Sequence, residues 1–126
     1  MTYWPISGNL LFLADDDVWL SSNKGLYHSD GNDWTFTELA GCSHLATDSK
    51  GKIYAAATGR IYIVENGNIS EYNSSNSAIS GLEIISGLGV GANDNLWISS
   101  FSWSGEASIQ KVDTKGNWTT YDHTNH

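Results

Sequence analysis

A single proline and a single cysteine stand among the 126 residues, and only six side chains are basic against 14 acidic ones. Cys42 cannot form an internal disulfide, so packing and hydrogen bonding must hold the chain, and its apolar neighbourhood reads as a buried structural thiol. The formal charge of -8 sets the surface against phosphate backbones and anionic lipid, which excludes nucleic acid as a natural partner. No segment approaches the roughly 20 apolar residues that span a bilayer. Residues 1–20 also lack a basic stretch followed by an apolar run and a small-residue cleavage site. The expectation is a soluble chain with no membrane partner. The four histidines, at 28, 44, 123 and 126, share no metal-ligand spacing, and there is no serine elbow. The sequence therefore points to no catalytic residue, no metal and no cofactor. Helical periodicity with caps is missing too, which leaves strands.

What the chain does have is 13 glycines with six Trp, six Tyr and three Phe, enough apolar area for a core and many tight turns around it. The phrase Val18-Trp19-Leu20-Ser21-Ser22 returns as Ile53-Tyr54-Ala55-Ala56-Ala57-Thr58 and again as Leu96-Trp97-Ile98-Ser99-Ser100. A short strand precedes each phrase, at 10–14, 44–47 and 88–91. Two more follow it: 25–28 and 33–37, 60–64 and 68–72, 108–112 and 117–121. Turn signals lie between, among them Asp30-Gly31-Asn32, Asp48-Ser49-Lys50-Gly51, Asn66-Gly67, Asn93-Asp94-Asn95 and Lys115-Gly116.

A repeat of about 40 residues with four short strands per unit is the signature of propeller blades. The expected fold is all-β, a β-propeller with three four-stranded antiparallel blades per chain. They form one domain over 1–126, with blades at about 9–39, 43–73 and 86–122. A twisted sheet buried on both faces needs a bulky residue to fill the wedge against its neighbour. Trp19, Tyr54 and Trp97, with Trp34 and Trp118, are accordingly expected in the core.

These residues resemble the two-component regulator propeller repeats of bacterial hybrid histidine kinase sensor regions. The resemblance is carried by Asn95-Leu96-Trp97-Ile98-Ser99-Ser100, by Asp48-Ser49-Lys50-Gly51-Lys52-Ile53-Tyr54 and by Asp17-Val18-Trp19-Leu20. The inter-blade phrase is matched by Tyr72-Asn73-Ser74-Ser75-Asn76-Ser77-Ala78-Ile79 and by Tyr121-Asp122-His123-Thr124-Asn125. It departs from the family in Tyr54, which stands where Trp is usual, and in lacking the Gly-Thr after Trp-Ile in the first and third units. The resemblance implies a non-catalytic sensor or ligand-binding module, periplasmic or extracellular, that recognises sugars or similar small molecules. The alternative is a structural or protein-interaction propeller.

Three blades do not close a ring, and an open stack leaves apolar faces in water. Two solutions follow: a homodimer completing a six-bladed ring, with residues such as Ile61 and Ile109 buried throughout, or a chain that is an excised fragment of a larger sensor propeller. Function in propellers sits where the repeat is broken. The insertion Phe101-Ser102-Trp103-Ser104-Gly105-Glu106-Ala107 has no counterpart in the other units. Its Trp103 and Phe101 offer rings on which a saccharide can stack, with Glu106 as a polar partner. Asn23, Lys24 and Arg60 occupy the equivalent loops, and His44 opens a first strand, so these join the candidate ligand-binding set. Asp15-Asp16-Asp17 lacks the spacing of a calcium loop and reads as a solvated turn.

Overall fold

The computed structural model describes residues 10–14, 17–22, 24–39, 41–77, 79, 84–101 and 105–121. Among them every regular element is a strand. The first sheet holds β1 (Leu10–Ala14), β2 (Asp17–Ser21), β3 (Leu26–Ser29) and β4 (Trp34–Thr37). The second holds β5 (His44–Thr47), β6 (Ile53–Ala57), β7 (Arg60–Glu65) and β8 (Asn68–Tyr72). The third holds β9 (Ile84–Val90), β10 (Leu96–Phe101), β11 (Ala107–Val112) and β12 (Trp118–Tyr121). Each sheet is an antiparallel meander with its strands in chain order. The expected strand runs agree with this to within one residue at most ends. The exception is β9, which begins four residues earlier than the sequence pattern shows, because Gly87 and Gly89 interrupt its apolar alternation.

Turn chemistry fixes the registers. Asn66 and Gly67 both take positive φ, 52° and 81°, the left-handed pair that a two-residue hairpin needs to follow strand twist. The Glu65↔Asn68 pairing of β7 with β8 follows from it. Three aspartates close other turns on themselves. Asp30 accepts from the backbone N–H groups of Asn32 and Asp33, Asp48 from Lys50 and Lys52, and Asp113 from Lys115 and Asn117. The carboxylate takes the place of a backbone acceptor, which is why Asp recurs there.

The core lies between sheets, in two layers. Leu26, Leu39, Cys42 and Ala55 form the layer between the first and second sheets, flanked by Trp19, Leu45, Tyr62 and Val64. Tyr54, Ala56, Ile61, Ile79, Ile85, Leu96, Ile98 and Val112 form the larger layer between the second and third. The middle sheet is thus covered on both sides, and β6, Ile-Tyr-Ala-Ala-Ala, is buried at every residue. Side chains alternate across a strand, so Ala55 enters the first layer while Tyr54 and Ala56 enter the second. β5 lies beside both β1 and β9, which puts the first strand of each sheet at the shared edge of the stack.

The aromatic expectations split on this geometry. Tyr54 is buried at 5 % exposure. Trp118 is half-buried, and its ring meets Tyr72 edge-on at 5.1 Å between centroids. Trp19 is half-buried and stacked flat on His28 at 3.9 Å. Trp97 and Trp34 are not core residues within this chain: they are 38 % and 45 % exposed, and Ile109 is 47 % exposed. The reason is position in the stack. Trp97 occupies the register of Tyr54, on the face pointing toward the next sheet, and among the described residues no sheet follows the third. Ile109 shares that face, as the register Ser99↔Ile109 requires. Trp34 lies on the face of the first sheet turned away from the second, opposite to Thr35 and Thr37.

Candidate functional site

Comparing equivalent positions of the two inter-sheet layers locates a substantial opening between sheets among the described residues. In the fourth strands, Thr37, Tyr72 and Tyr121 hold one repeat position, and Trp34, Ile69 and Trp118 another. Between the second and third sheets Tyr72 meets Trp118, and these two rings fill the gap between the outer strands. Among the described residues a rim cavity of about 100 Å³ lies there, with Asp48, Lys50, Lys52, Tyr72, Asp94 and Asp113 in its lining. Between the first and second sheets the corresponding residues are Thr37 and Ile69. Neither is large enough to close the wedge, and a cleft of about 420 Å³ opens between them. That size falls within the range of small-molecule sites.

The cleft has one polar wall and one apolar wall. On the first sheet, cross-strand pairing sets Trp19 against His28 and His28 against Thr35. Asp17 Oδ1 lies 2.6 Å from His28 Nε2, so the imidazole is held between a carboxylate and an indole face. Thr35 and Thr37 add hydroxyls, and Thr35 Oγ1 donates to the His28 carbonyl at 3.4 Å. The second sheet supplies Ile53, Val64 and the half-exposed Ile69, with Asn66 and Gly67 of the hairpin turn at the end. Trp19 Nε1 is buried and finds no acceptor among the described residues; an orphaned indole donor costs about 1–3 kcal/mol unless a water or ligand oxygen meets it. This is a surface of ring face, hydroxyl, imidazole and aliphatic carbon. It suits a neutral molecule that is apolar on one side and hydroxylated on the other. Among the described residues no group of three His, Cys, Asp or Glu side chains could hold a metal ion.

None of the described residues in the candidate ligand-binding set read from the sequence lines this cleft, although Trp19, expected there as a core residue, does. Strand direction places the described ones at the opposite end of the sheets, beside the β2–β3, β6–β7 and β10–β11 turns and the start of β5. Phe101 closes β10 opposite Ala107, 38 % exposed, and Glu106 is exposed beside it. Lys24 is exposed in a turn organised by the buried Ser22 hydroxyl, which accepts from the N–H groups of Lys24 and Gly25 at 3.2 and 3.1 Å. Arg60 Nη1 sits 3.7 Å from Glu71 Oε2 in a solvent-exposed pair of its own sheet, an interaction worth only ~0.2–1 kcal/mol. His44 Nδ1 is 2.9 Å from the Ser43 hydroxyl. Asn23 and Trp103 lie outside the described residues. Asp17, read from sequence as a solvated turn residue, instead engages His28, while Asp15 and Asp16 lie outside the described residues.

The signal that could have found the cleft is the break in the fourth-strand pattern, Thr37 for Tyr and Ile69 for Trp. It is visible in the sequence only when the unit registers are aligned residue by residue. No protein-family model matches the chain, and no curated protein matches it. Functional inference therefore rests on this geometry.

Proposed function

We propose that the three sheets are consecutive blades of a β-propeller that recognises a small saccharide-like ligand without transforming it, and that the cleft between the first two sheets is its site. The observation that carries the reading is the missing Tyr–Trp wedge. The same packing position is filled at one interface and vacated at the other, and the space is walled by residues suited to a pyranose. The stacked Trp19–His28 pair gives an aromatic edge with the Thr35 and Thr37 hydroxyls beside it, an amphipathic lining suited to a ring that is apolar on one side and hydroxylated on the other. The order of strands within each sheet, the adjacency of the first strands and the double-sided burial of the middle sheet all support the propeller. The resemblance to sensor propeller repeats supports a recognition role in bacterial signalling, outside the cytoplasm.

The test is a titration of intrinsic tryptophan fluorescence against a panel of neutral and acidic oligosaccharides, on the wild type and a variant with Thr37→Tyr and Ile69→Trp. That variant transplants the filled interface into the open one. The expected result is binding by wild type, at least tenfold weaker binding by the filled variant, and no loss with Trp103→Ala or Arg60→Ala. Binding that survives the filled cleft and disappears with Trp103→Ala would move the site to the opposite end of the sheets. No response to any saccharide would reject the ligand class.

A further inference from the structure

The imidazole on the polar wall of the cleft is held on two sides by its own sheet. Asp17 opens β2 two residues before Trp19, and Trp19 pairs directly with His28 of β3. Asp17 and His28 are therefore diagonal neighbours on the face turned toward the second sheet. The Asp17 carboxylate takes one ring nitrogen, Nε2, at 2.6 Å, and the Trp19 indole covers one ring face at 3.9 Å and 11°. An ionised carboxylate only accepts hydrogen bonds, so Nε2 carries a proton. In the neutral ring the second nitrogen, Nδ1, is then an acceptor. Among the described residues no donor reaches it, and His28 lines the cleft with 29 % of its side chain exposed. Trp19 Nε1, in the same wall, is a buried donor with no acceptor among those residues. The wall thus sets an unmet acceptor beside an unmet donor. The repeat shows that the arrangement is particular to this interface. At the positions of Asp17 and His28 the second sheet has Lys52 and Ile63, and the third has Asn95 and Lys111. Ile63 packs against the core at the filled interface, where the first sheet carries its carboxylate and imidazole at the open one.

We infer that His28 is the residue by which the cleft selects ligands bearing a free hydroxyl, its Nδ1 accepting that hydroxyl's proton, and that Asp17 is the positioning residue that holds the ring in the tautomer able to accept it. The inference rests on the cleft being the saccharide site and adds a chemical distinction to it. A hydroxyl both donates and accepts, whereas an ether or methoxyl oxygen only accepts. A sugar with its hydroxyls capped by methyl groups leaves Nδ1 without a donor, and a polar group shut off from water without its partner costs more than the bond gains. The carboxylate contact and the ring stack order the imidazole before a ligand arrives, so no rotamer freedom is lost there on binding.

Two measurements test it: long-range proton–nitrogen correlation spectra of protein labelled at its histidine nitrogens, at pH 8, and fluorescence titrations with maltose, cellobiose and lactose, each beside its per-O-methylated form. In the unliganded protein His28 is expected to show a protonated Nε2 and an unprotonated Nδ1. A bound disaccharide is expected to move the Nδ1 resonance while Nε2 stays in place. Asp17→Ala should give averaged resonances as the two tautomers exchange. The methylated sugar should bind the wild type at least about tenfold more weakly than the free one. His28→Gln keeps an amide N–H for Asp17 but places no acceptor at Nδ1. It is expected to bind the free sugar about threefold to tenfold more weakly and to lose most of the discrimination against methylation. His28→Asn, which sets its amide oxygen near the Nδ1 position and gives up Asp17, should recover part of that affinity. A ring protonated at Nδ1, an Nδ1 resonance unmoved by bound sugar, or a methylation penalty as large in His28→Gln as in wild type would each overturn the selection by His28. A His28 spectrum unchanged by Asp17→Ala would overturn the positioning role. Each of those results leaves the cleft standing as the binding site if the Thr37→Tyr, Ile69→Trp variant still loses binding. Absence of binding by every disaccharide would instead overturn the saccharide reading and this contact with it.

Discussion

At the scale of single residues, burial and turn geometry make three sharp expectations. Cys42 is 2 % exposed, its thiol donates to the Leu39 carbonyl, and burial pushes its pKa up to about 11. A protonated, inaccessible thiol is a poor nucleophile. A thiol reagent at pH 8 should react with it only in denaturant; labelling of the folded protein at the rate of free cysteine would contradict the packing. A side chain on Gly25 would place its Cβ 2.3 Å from the Thr37 carbonyl oxygen and 2.7 Å from the Phe36 ring. Gly25→Ala should therefore destabilise by about 1–3 kcal/mol in urea unfolding, whereas Gly89→Ala, which meets nothing nearby, should not show that overpacking cost. Asp94 binds across sheets, accepting from the backbone N–H and hydroxyl of Ser49 at 2.9 and 2.5 Å. These donors hold its carboxyl below the ordinary 3.8. A depressed folded value means that the contribution is present above the unfolded value and vanishes as pH falls through the folded one. Wild type should melt higher than Asp94→Asn, which keeps a side chain suited to the positive φ of 61° at this position, above about pH 5, and the two should converge below the ordinary carboxylate range. A difference that persists into strong acid would assign the effect to something other than the carboxylate.

Among the elements, much was legible beforehand because the physics is local. Period-two alternation, Asn66-Gly67 and the aspartate turns each specify strand or hairpin without reference to the rest of the chain, and every strand but β9 falls within about one residue of where those signals place it. What each face packs against was not legible. Trp19, Tyr54 and Trp97 look alike in sequence, yet one is stacked on His28, one is buried and one is exposed, because burial depends on whether another sheet follows. The cleft was missed for a related reason: a loop insertion around Trp103 draws attention by its length, while Thr37 and Ile69 change the packing volume without changing the strand pattern. The filled variant with Thr37→Tyr and Ile69→Trp is informative here beyond ligand binding. An edge-to-face pair adds about 0.5–1.5 kcal/mol beyond its buried area, so thermal unfolding should shift upward if the two interfaces are equivalent. A loss of stability would show that the first two sheets are splayed for another reason.

Across the whole molecule, one interface repeats. The second sheet shows what a sheet of this chain looks like when covered on both sides, with every residue of β6 buried. The third sheet shows half of that state, with Trp97 and Ile109 exposed on the face turned away from the second. Two copies completing a six-bladed ring, the closure expected from the repeat, would bring together chains of net charge -8 each, so salt should strengthen such pairing by screening. Small-angle X-ray scattering of the wild type over a concentration series tests this most directly, because it reads mass and shape together. A six-bladed ring of two chains gives a forward-scattering mass of twice the 13.7 kDa chain and a compact particle whose maximum dimension does not change with concentration. A 13.7 kDa particle, or one that lengthens as concentration rises, would contradict it.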